Sequence, residues 1–301
     1  MPDPFEALRT APTPIDPDLA FTARLRARVA RALQPYDQGE PSMTLRDTVE
    51  PADQLRQGDM SYVALWVPDL ERATRFFAAV LGWTTSPAPA GPARMVEGQS
   101  QMIGLAELSA SSNFVRNLGV PLPPTVQPTA YAAFVVDDIQ AAVARVRAAG
   151  GWSTDASKQP YGLVASCVDD QGLAFTLNEL PQAAPRPPST GARHGDLAYM
   201  SFEFPDAGRA RAFYGTVLGL HFEPGRTPDG WNVPEAAPMA GFVGGAASPT
   251  IVPMFRVDDI AAAVERVRSA GGTATEPAHE GYGMRAQCTD DQDVRFYLGQ
   301  L

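Results

Sequence analysis

The sequence predicts an α+β protein that contains two tandem copies of one module. The segment Tyr62–Asp69 (YVALWVPD) recurs 137 positions later as Tyr199–Asp206 (YMSFEFPD). Further along, Val136–Ile139 (VDDI) recurs 121 positions later as Val257–Ile260. In each copy, short apolar runs alternate with stretches whose apolar residues recur at helical spacing. Strands and helices mixed within one repeat are typical of an α+β fold.

The first strand and the first helix of each copy have well-marked ends. Residues 62–67 form a short apolar run that Pro68 ends, which predicts a strand. Asp69 is suited to cap the helix that follows, and Gly82 to end it. The equivalent residues predict the same strand and helix in the second copy.

A second helix and further strands follow in each copy. Asp138 is suited to cap the second helix of the first copy, and Gly150 with Gly151 to end it. Asp259 begins its counterpart. Apolar runs predict the remaining strands at 102–105, 131–136, 163–168, 173–177, 284–289 and 294–298.

The repeat divides the chain into four parts. Residues 1–56 match neither copy and contain one amphipathic stripe, which predicts an N-terminal extension with one helix. The first module spans 57–180 and the second spans 194–301, and the proline-rich segment 181–193 links them. The change of offset indicates that the first module carries 16 extra residues within Leu108–Pro124.

Composition excludes several classes of protein. No apolar run approaches the roughly 18 residues that span a bilayer, so we expect no membrane partner. The net charge of -10 disfavours nucleic acid, because it repels a phosphate backbone. The first residues lack a basic cluster followed by an apolar run, which favours a cytoplasmic location. The patterns leave open whether the chain forms a homodimer.

The tandem pattern resembles the vicinal oxygen chelate superfamily, and the resemblance covers about residues 58–301. It rests on a strand ending in Pro-Asp, a helix ending in Phe-Phe or Phe-Tyr before Leu-Gly, and a terminal Asp-Asp-Gln turn. That superfamily includes glyoxalases, extradiol dioxygenases and bleomycin or fosfomycin resistance proteins. The chain looks most similar to tandem glyoxalase-like proteins of actinomycete type. The resemblance implies two tandem βαβββ modules that pair into a pseudo-twofold eight-stranded cup around a small-molecule cavity.

The positions that hold a metal ion in metal-using members carry other residues here. The resemblance places ligands at Tyr62 and Tyr199 on the first strands, and at Thr176 and Tyr297 on the last strands. A neutral phenol with a pKa of about 10 is a poor metal ligand at neutral pH. We therefore expect no metal ion and no other cofactor.

Strand alternation predicts the other side chains that face the cup, since residues two apart share a face. The predicted ligand-binding residues are Tyr62, Trp66, Tyr131, Thr176, Tyr199, Met254, Arg256, Arg295 and Tyr297. Such an aromatic lining suits a flat or polycyclic organic ligand. The repeated tyrosines are equally consistent with packing between the modules, and Trp66 with a position in the core.

Glu203 shares a face with Tyr199 and is the one candidate catalytic residue. It has two interpretations: a structural ion pair with Arg295 or Arg256, or a general base that works with a tyrosine as proton donor.

Three functions follow from these expectations. The first is metal-independent binding of an aromatic or polycyclic small molecule, such as an antibiotic or another secondary metabolite. The second is a metal-free isomerase, cyclase or lyase of secondary metabolism that uses Glu203 and tyrosines as acid and base. The third is a non-catalytic interaction module.

Overall fold

The computed structural model describes residues 54–88, 92–108 and 130–301. The first module contains two helices and nine strands in this range. Its elements in chain order are β1 (Met60–Val67), α1 (Leu70–Leu81), β2 (Thr85–Pro87), β3 (Ala93–Val96), β4 (Ile103–Glu107), β5 (Ala130–Val135), α2 (Ile139–Ala148), β6 (Trp152–Ser153), β7 (Ser157–Gln159), β8 (Gly162–Val168) and β9 (Ala174–Glu179).

The second module repeats this order. Its elements are β10 (Leu197–Glu203), α3 (Ala207–Leu218), β11 (Glu223–Pro224), β12 (Gly230–Val233), β13 (Ala240–Val243), β14 (Thr250–Arg256), α4 (Ile260–Ser269), β15 (Thr273–Ala274), β16 (Ala278–Glu280), β17 (Gly283–Thr289) and β18 (Arg295–Gln300). The predicted α+β class, the two tandem modules and the predicted helices of both copies are confirmed.

Each module forms a mixed sheet of its own with nine strands, instead of half of one eight-stranded sheet. In the first module, β1 pairs with β4 in parallel and with β5 in antiparallel, and β5 pairs with β9 in parallel. The second module repeats these pairings with β10, β13, β14 and β18. Each sheet is therefore an open cup built from two halves, β1 to β4 and β5 to β9 in the first module.

The helix ends lie where capping chemistry predicts them. The carboxylate of Asp69 accepts a hydrogen bond from the backbone N–H of Arg72 at 2.9 Å, and Asp138 does the same for Ala141. Gly82 ends α1 with a φ of 70°, a left-handed conformation that glycine adopts without strain.

The helices lie between the two sheets, in one hydrophobic core that both modules share. The helix α1 of the first module presents Phe76 and Phe77 to Phe296 of the second sheet, at ring distances of 6.1 and 5.6 Å. In return, α3 presents Phe213 to Phe175 of the first sheet at 6.1 Å. Each module therefore supplies a helix that covers the sheet of the other, so the two halves of the core depend on each other.

The repeated Asp-Asp-Gln turns tie the modules together outside this core. The side chain of Gln292 hydrogen-bonds both backbone groups of Asp69, the residue that begins α1. Next to it, Arg72 forms an ion pair of 2.9 Å with Asp291. The first module's turn holds the start of α3 in the same way, with Gln171 on Asp206.

The predicted linker is held by ordered contacts with the end of the N-terminal extension and the start of the first module. Pro185 forms an isolated β-bridge with Gln54. Arg186 forms a bidentate ion pair with the buried carboxylate of Asp59, at 2.7 and 2.8 Å. The extended backbone that the prolines favour is thus used for specific pairing.

The predicted N-terminal helix lies outside the described residues, as does most of the 16-residue insertion. No helix among residues 54–88, 92–108 and 130–301 is long and apolar enough to cross a membrane.

Candidate functional site

The predicted site residues lie on the sheet faces that point away from the shared core. Because each module has its own sheet, they divide into two groups. The first cup face is formed by Tyr62, Ala64, Trp66, Tyr131, Ala133, Val135, Val164, Ser166, Ala174, Thr176 and Asn178. The second cup face is formed by Tyr199, Ser201, Glu203, Val252, Met254, Arg256, Arg285, Gln287, Thr289, Arg295, Tyr297 and Gly299. The structure thus brings the predicted residues together within each module.

Aromatic and small side chains fill the first cup face. Trp66 stacks on Tyr131 with a ring distance of 5.0 Å and an angle of 21°. These two residues form a buried cluster with Ala64 and Ala174, and Trp66 is only 6% exposed. Burial raises the pKa of Tyr131 well above its ordinary value. The aromatic surface of this face is therefore already covered by protein.

One row of residues crosses the centre of each sheet at the predicted ligand positions. In the first sheet, Tyr62 is paired with Ala133, which is paired with Thr176. The corresponding row of the second sheet is given by strands β10, β14 and β18, and consists of Tyr199, Met254 and Tyr297. Strand alternation, which predicted Tyr131 on this face, also places Ala133 there, two residues further along β5.

The two central tyrosines occupy equivalent positions above glycines. The hydroxyl of Tyr62 lies where a Cβ atom at Gly104 would stand, and Tyr199 lies over Gly241 in the same way. A larger residue at either glycine would displace the phenol. The ring orientation is therefore fixed by the neighbouring strand in both modules.

The phenols at these rows are held in their neutral form. Burial raises the pKa of Tyr62, Tyr199 and Tyr297 to about 12. No group of three or more His, Cys, Asp or Glu side chains that could hold a metal ion occurs within the part of the chain that the structure describes. Catalytic metal centres use about three imidazole, carboxylate or thiolate ligands. This donor set does not fit such a centre.

A hydrogen-bonded ion pair organises one end of the second cup face. Both oxygens of Glu203 accept from the Arg295 guanidinium, at 2.9 and 3.1 Å. Tyr297 donates a further hydrogen bond to Glu203 at 3.0 Å. Of the partners predicted for Glu203, the structure selects Arg295 over Arg256, whose guanidinium lies 3.5 Å from the carbonyl oxygen of Gly191.

The second cup face also includes residues that sequence reasoning missed. Arg285 lies over the ring of Tyr297 at 5.1 Å and forms an ion pair of 2.9 Å with Glu280. Beside them, an open depression of about 350 Å³ is lined by Gln287, Arg295 and Tyr297 among others. Alternation along β17 predicts that Arg285 and Gln287 share this face, so extending the strand reasoning to that strand would have found them.

A comparison of sequences matches the first module to a known family. Residues 59–177 match the model of the Glyoxalase/Bleomycin resistance protein/Dioxygenase superfamily. This region is a domain of that superfamily. Among curated proteins, none matches the chain in sequence.

Several solved structures have a similar fold over a range that includes both modules. The Mn(II)-bound glyoxalase from Novosphingobium aromaticivorans is similar at 15% identity and a TM-score of 0.58, over 81% of this chain and 82% of that one. The 2,3-dioxygenase LapB from Pseudomonas sp. KL28 is similar at 15% identity and a TM-score of 0.56, over 83% and 93%. The 2,2',3-trihydroxybiphenyl 1,2-dioxygenase from Sphingomonas wittichii strain RW1 is similar at 13% identity and a TM-score of 0.57, over 82% and 91%. At these identities the likeness shows the fold alone.

Proposed function

We propose that this protein binds small aromatic molecules on its second cup face without a metal ion. The observation that carries the proposal is the central row Tyr199, Met254 and Tyr297, in which Tyr199 and Tyr297 stand where the superfamily resemblance implies metal ligands. Phenol rings and a thioether offer flat, polarisable surface for ring stacking, and neutral hydroxyls offer hydrogen bonds. Ring-bearing antibiotics and other secondary metabolites belong to this ligand class.

Exposure favours the second cup face over the first. In the first, the rings of Trp66 and Tyr131 are 6% and 8% exposed and stack on each other. In the central row of the first face only Tyr62 is partly exposed, since Thr176 is buried. In the second, Met254 is buried but Tyr199 and Tyr297 are both partly exposed, and the depression beside Tyr297 has room for a small ring system.

The hydrogen bond between Tyr297 and Glu203 favours a second candidate, a metal-free isomerase, cyclase or lyase. In that reaction Glu203 would take a proton and a tyrosine would donate one. The pair with Arg295 occupies both carboxylate oxygens, which supports a role in ordering the face. Replacing Glu203 with Gln separates the two: an enzyme loses turnover, whereas a binding protein keeps its ligand chemically unchanged.

The proposal is tested by binding measurements on protein treated with EDTA, with the metal content checked by mass spectrometry. We expect the fluorescent aromatic probe N-phenyl-1-naphthylamine to bind saturably and with the same affinity before and after chelation. Ser201→Trp, which fills the second cup face, is expected to abolish binding. The exposed Arg268 lies on α4, outside the cup faces, so Arg268→Gln is the matched control and is expected to bind normally. Binding that requires added Mn(II) would contradict the metal-free role, and absence of binding would favour the interaction module.

A further inference from the structure

The two cup faces differ most in their charge. Every charged residue of the second cup face has an uncharged counterpart at the equivalent position of the first. These pairs are Glu203 and Trp66, Arg256 and Val135, Arg285 and Val164, and Arg295 and Ala174. The three arginines are accompanied by two glutamates, Glu203 paired with Arg295 and Glu280 paired with Arg285, so this face keeps one net positive charge in a chain whose net charge is -10. Local positive charge in a cup concentrates anions despite a negative total.

The arginines lie in a defined position beside the aromatic row. Strand register places Arg256, Gly299 and Arg285 in one row across β14, β18 and β17. Gly299, at the centre of this row, carries no charge. The thioether sulfur of Met254 lies over it, 2.8 Å from where a Cβ atom of residue 299 would stand. The neighbouring row is Tyr199, Met254 and Tyr297. Same-face residues along a strand are roughly 6.5 Å apart, so the aromatic row and the row of arginines are direct neighbours on this face.

The charge partners of Arg285 and Arg295 leave their guanidinium groups accessible. Arg285 donates one hydrogen bond to Glu280, and its side chain is 30% exposed. Arg295 is bound to Glu203 and its side chain is 46% exposed. A guanidinium has five N–H donors, so these arginines retain donors for a second anion.

A further aromatic residue stands at the edge of this face. Tyr282 lies at the tip of the β16–β17 hairpin, where Gly283 adopts a φ of 141° and lies close to the backbone of Gln300. Its side chain is 45% exposed. Burial and, after it, an electrostatic interaction with Tyr282 raise the pKa of Tyr199 to about 12. The sequence repeat marks this residue, since Tyr161 is its counterpart beside Tyr62.

We propose that the second cup face takes an aromatic anion, a flat ring system that carries a carboxylate, sulfonate or similar group. The ring contacts Tyr199 and Tyr282, and the anionic group contacts Arg285 and Arg256. This inference rests on the proposed binding function and names its ligand class. The adjacency of the aromatic row and the arginine row supports this ligand class. A neutral ring would not use the arginine row, and a simple anion would not use the aromatic row.

A matched pair of probes tests the charge preference. The fluorescent probes 8-anilinonaphthalene-1-sulfonate and N-phenyl-1-naphthylamine share their ring system, and only the first is an anion. We expect the sulfonate to bind about tenfold more tightly at low salt, because charge attraction adds to the same ring contacts. Raising the NaCl concentration from 50 to 500 mM is expected to remove most of this difference.

Replacing an arginine of the second cup face with the equivalent residue of the first tests whether that arginine causes the preference for the sulfonate. Arg285→Val and Arg256→Val each install the residue of the first cup face. Each is expected to weaken sulfonate binding about fivefold and leave binding of the neutral probe within about twofold. Arg268→Gln removes the same charge outside the cup face and is expected to change neither. Circular dichroism and thermal unfolding identify any variant that fails to fold, and the other arginine variant then carries the test.

The possible results separate this inference from the proposed function. Equal binding of the two probes to the folded wild-type protein would overturn the aromatic-anion assignment and leave small-molecule binding intact. A sulfonate preference that survives both arginine replacements would also overturn it. Failure of both probes to bind would overturn the two proposals together.

Discussion

Each module contains a buried aspartate at the start of its terminal turn, and the two copies have different surroundings. Asp169 binds two backbone N–H groups through Oδ1 and the hydroxyl of Tyr214 through Oδ2, at 3.1 Å. Asp290 accepts from the two equivalent backbone N–H groups of its own turn, those of Gln292 and Val294, but Phe77 stands at the position equivalent to Tyr214. Within the described residues, Oδ2 of Asp290 is buried and has no hydrogen-bond partner. We call the contact at Asp169 the first seam between the modules and the contact at Asp290 the second seam. A single hydroxyl, that of Tyr214, thus distinguishes the two seams.

The two copies therefore share the hydrogen bonds from the backbone of the turn to the aspartate and differ in the side chain that contacts its second oxygen. Both aspartates hold their turns through Oδ1, which requires an acceptor and no charge. Burial raises the pKa of each carboxyl to about 6. Each turn therefore requires a carboxylate to be buried, which is unfavourable in both modules. Only in the first module does a hydroxyl partly offset this penalty by hydrogen bonding to the carboxylate.

The largest effect is expected at a second pair of equivalent aspartates, Asp59 and Asp196. Asp59 is bound bidentately by the partly buried Arg186, whereas Arg193 is 63% exposed and 3.8 Å from Asp196. Arg186→Ala leaves a buried carboxylate without its cation and is expected to lower the free energy of unfolding by about 3 kcal/mol. Arg193→Ala is expected to cost less than about 1 kcal/mol. Urea unfolding of both variants measures the difference, and equal costs would contradict it.

The pH dependence of stability is the next largest effect. Because the folded pKa of Asp290 is about 6 against an ordinary 3.8, the folded state retains a proton that the unfolded state has lost between about pH 4 and pH 6. The contribution of this group to stability is thus present below about pH 4 and is lost as the pH rises through 6. Asp290→Asn removes this loss. We therefore expect the free energy of unfolding of the variant minus that of the wild type to be about 2 kcal/mol higher at pH 7 than at pH 4.

Denaturant unfolding of wild type and Asp290→Asn at both pH values gives the required four measurements. A constant difference between the two proteins across this range would show that Asp290 does not titrate as the burial predicts.

Sequence patterns predicted the elements whose ends depend on local chemistry. Asp69 and Asp138 begin helices because a short acceptor side chain binds the next free backbone N–H, which involves only neighbouring residues. The short strands β2, β6 and β7 were not predicted, because two or three partly exposed residues show no alternation. Their pairing is set by neighbouring strands.

The number of sheets could not be read from the repeat. Each module consists of two halves with the same topology, but β1 and β5 share no sequence pattern that would reveal it. Periodicity states which face a residue occupies and leaves the identity of the paired strand open. For this reason Tyr62 and Tyr199 were correctly assigned to equivalent positions, while the expectation that they line one joint cup did not anticipate two separate faces.

Removing the hydroxyl of Tyr214 is expected to make the first seam resemble the second. Tyr214→Phe leaves Oδ2 of Asp169 buried without a donor, which is expected to cost about 1.5 kcal/mol of stability at pH 7. The loss should be smaller at pH 4, where the carboxyl is protonated. In an Asp169→Asn background, where no carboxylate remains, the same replacement is expected to cost much less. Equal costs in both backgrounds would indicate that the hydroxyl acts through packing instead.

The reverse change at the second seam is expected to have the smallest effect and the opposite sign. Phe77→Tyr offers a hydroxyl to the unpaired oxygen of Asp290 and is expected to raise the free energy of unfolding by about 0.5 kcal/mol at pH 7. The gain is small because the new hydroxyl must fit among the rings of Trp83 and Phe296, which contact Phe77 at 5.1 and 5.6 Å. Combining Phe77→Tyr with Asp290→Asn should remove the gain, since the charged acceptor is gone. A loss of stability that persists in the combined variant would show that packing around Phe77, and not the missing donor, has kept the two seams different.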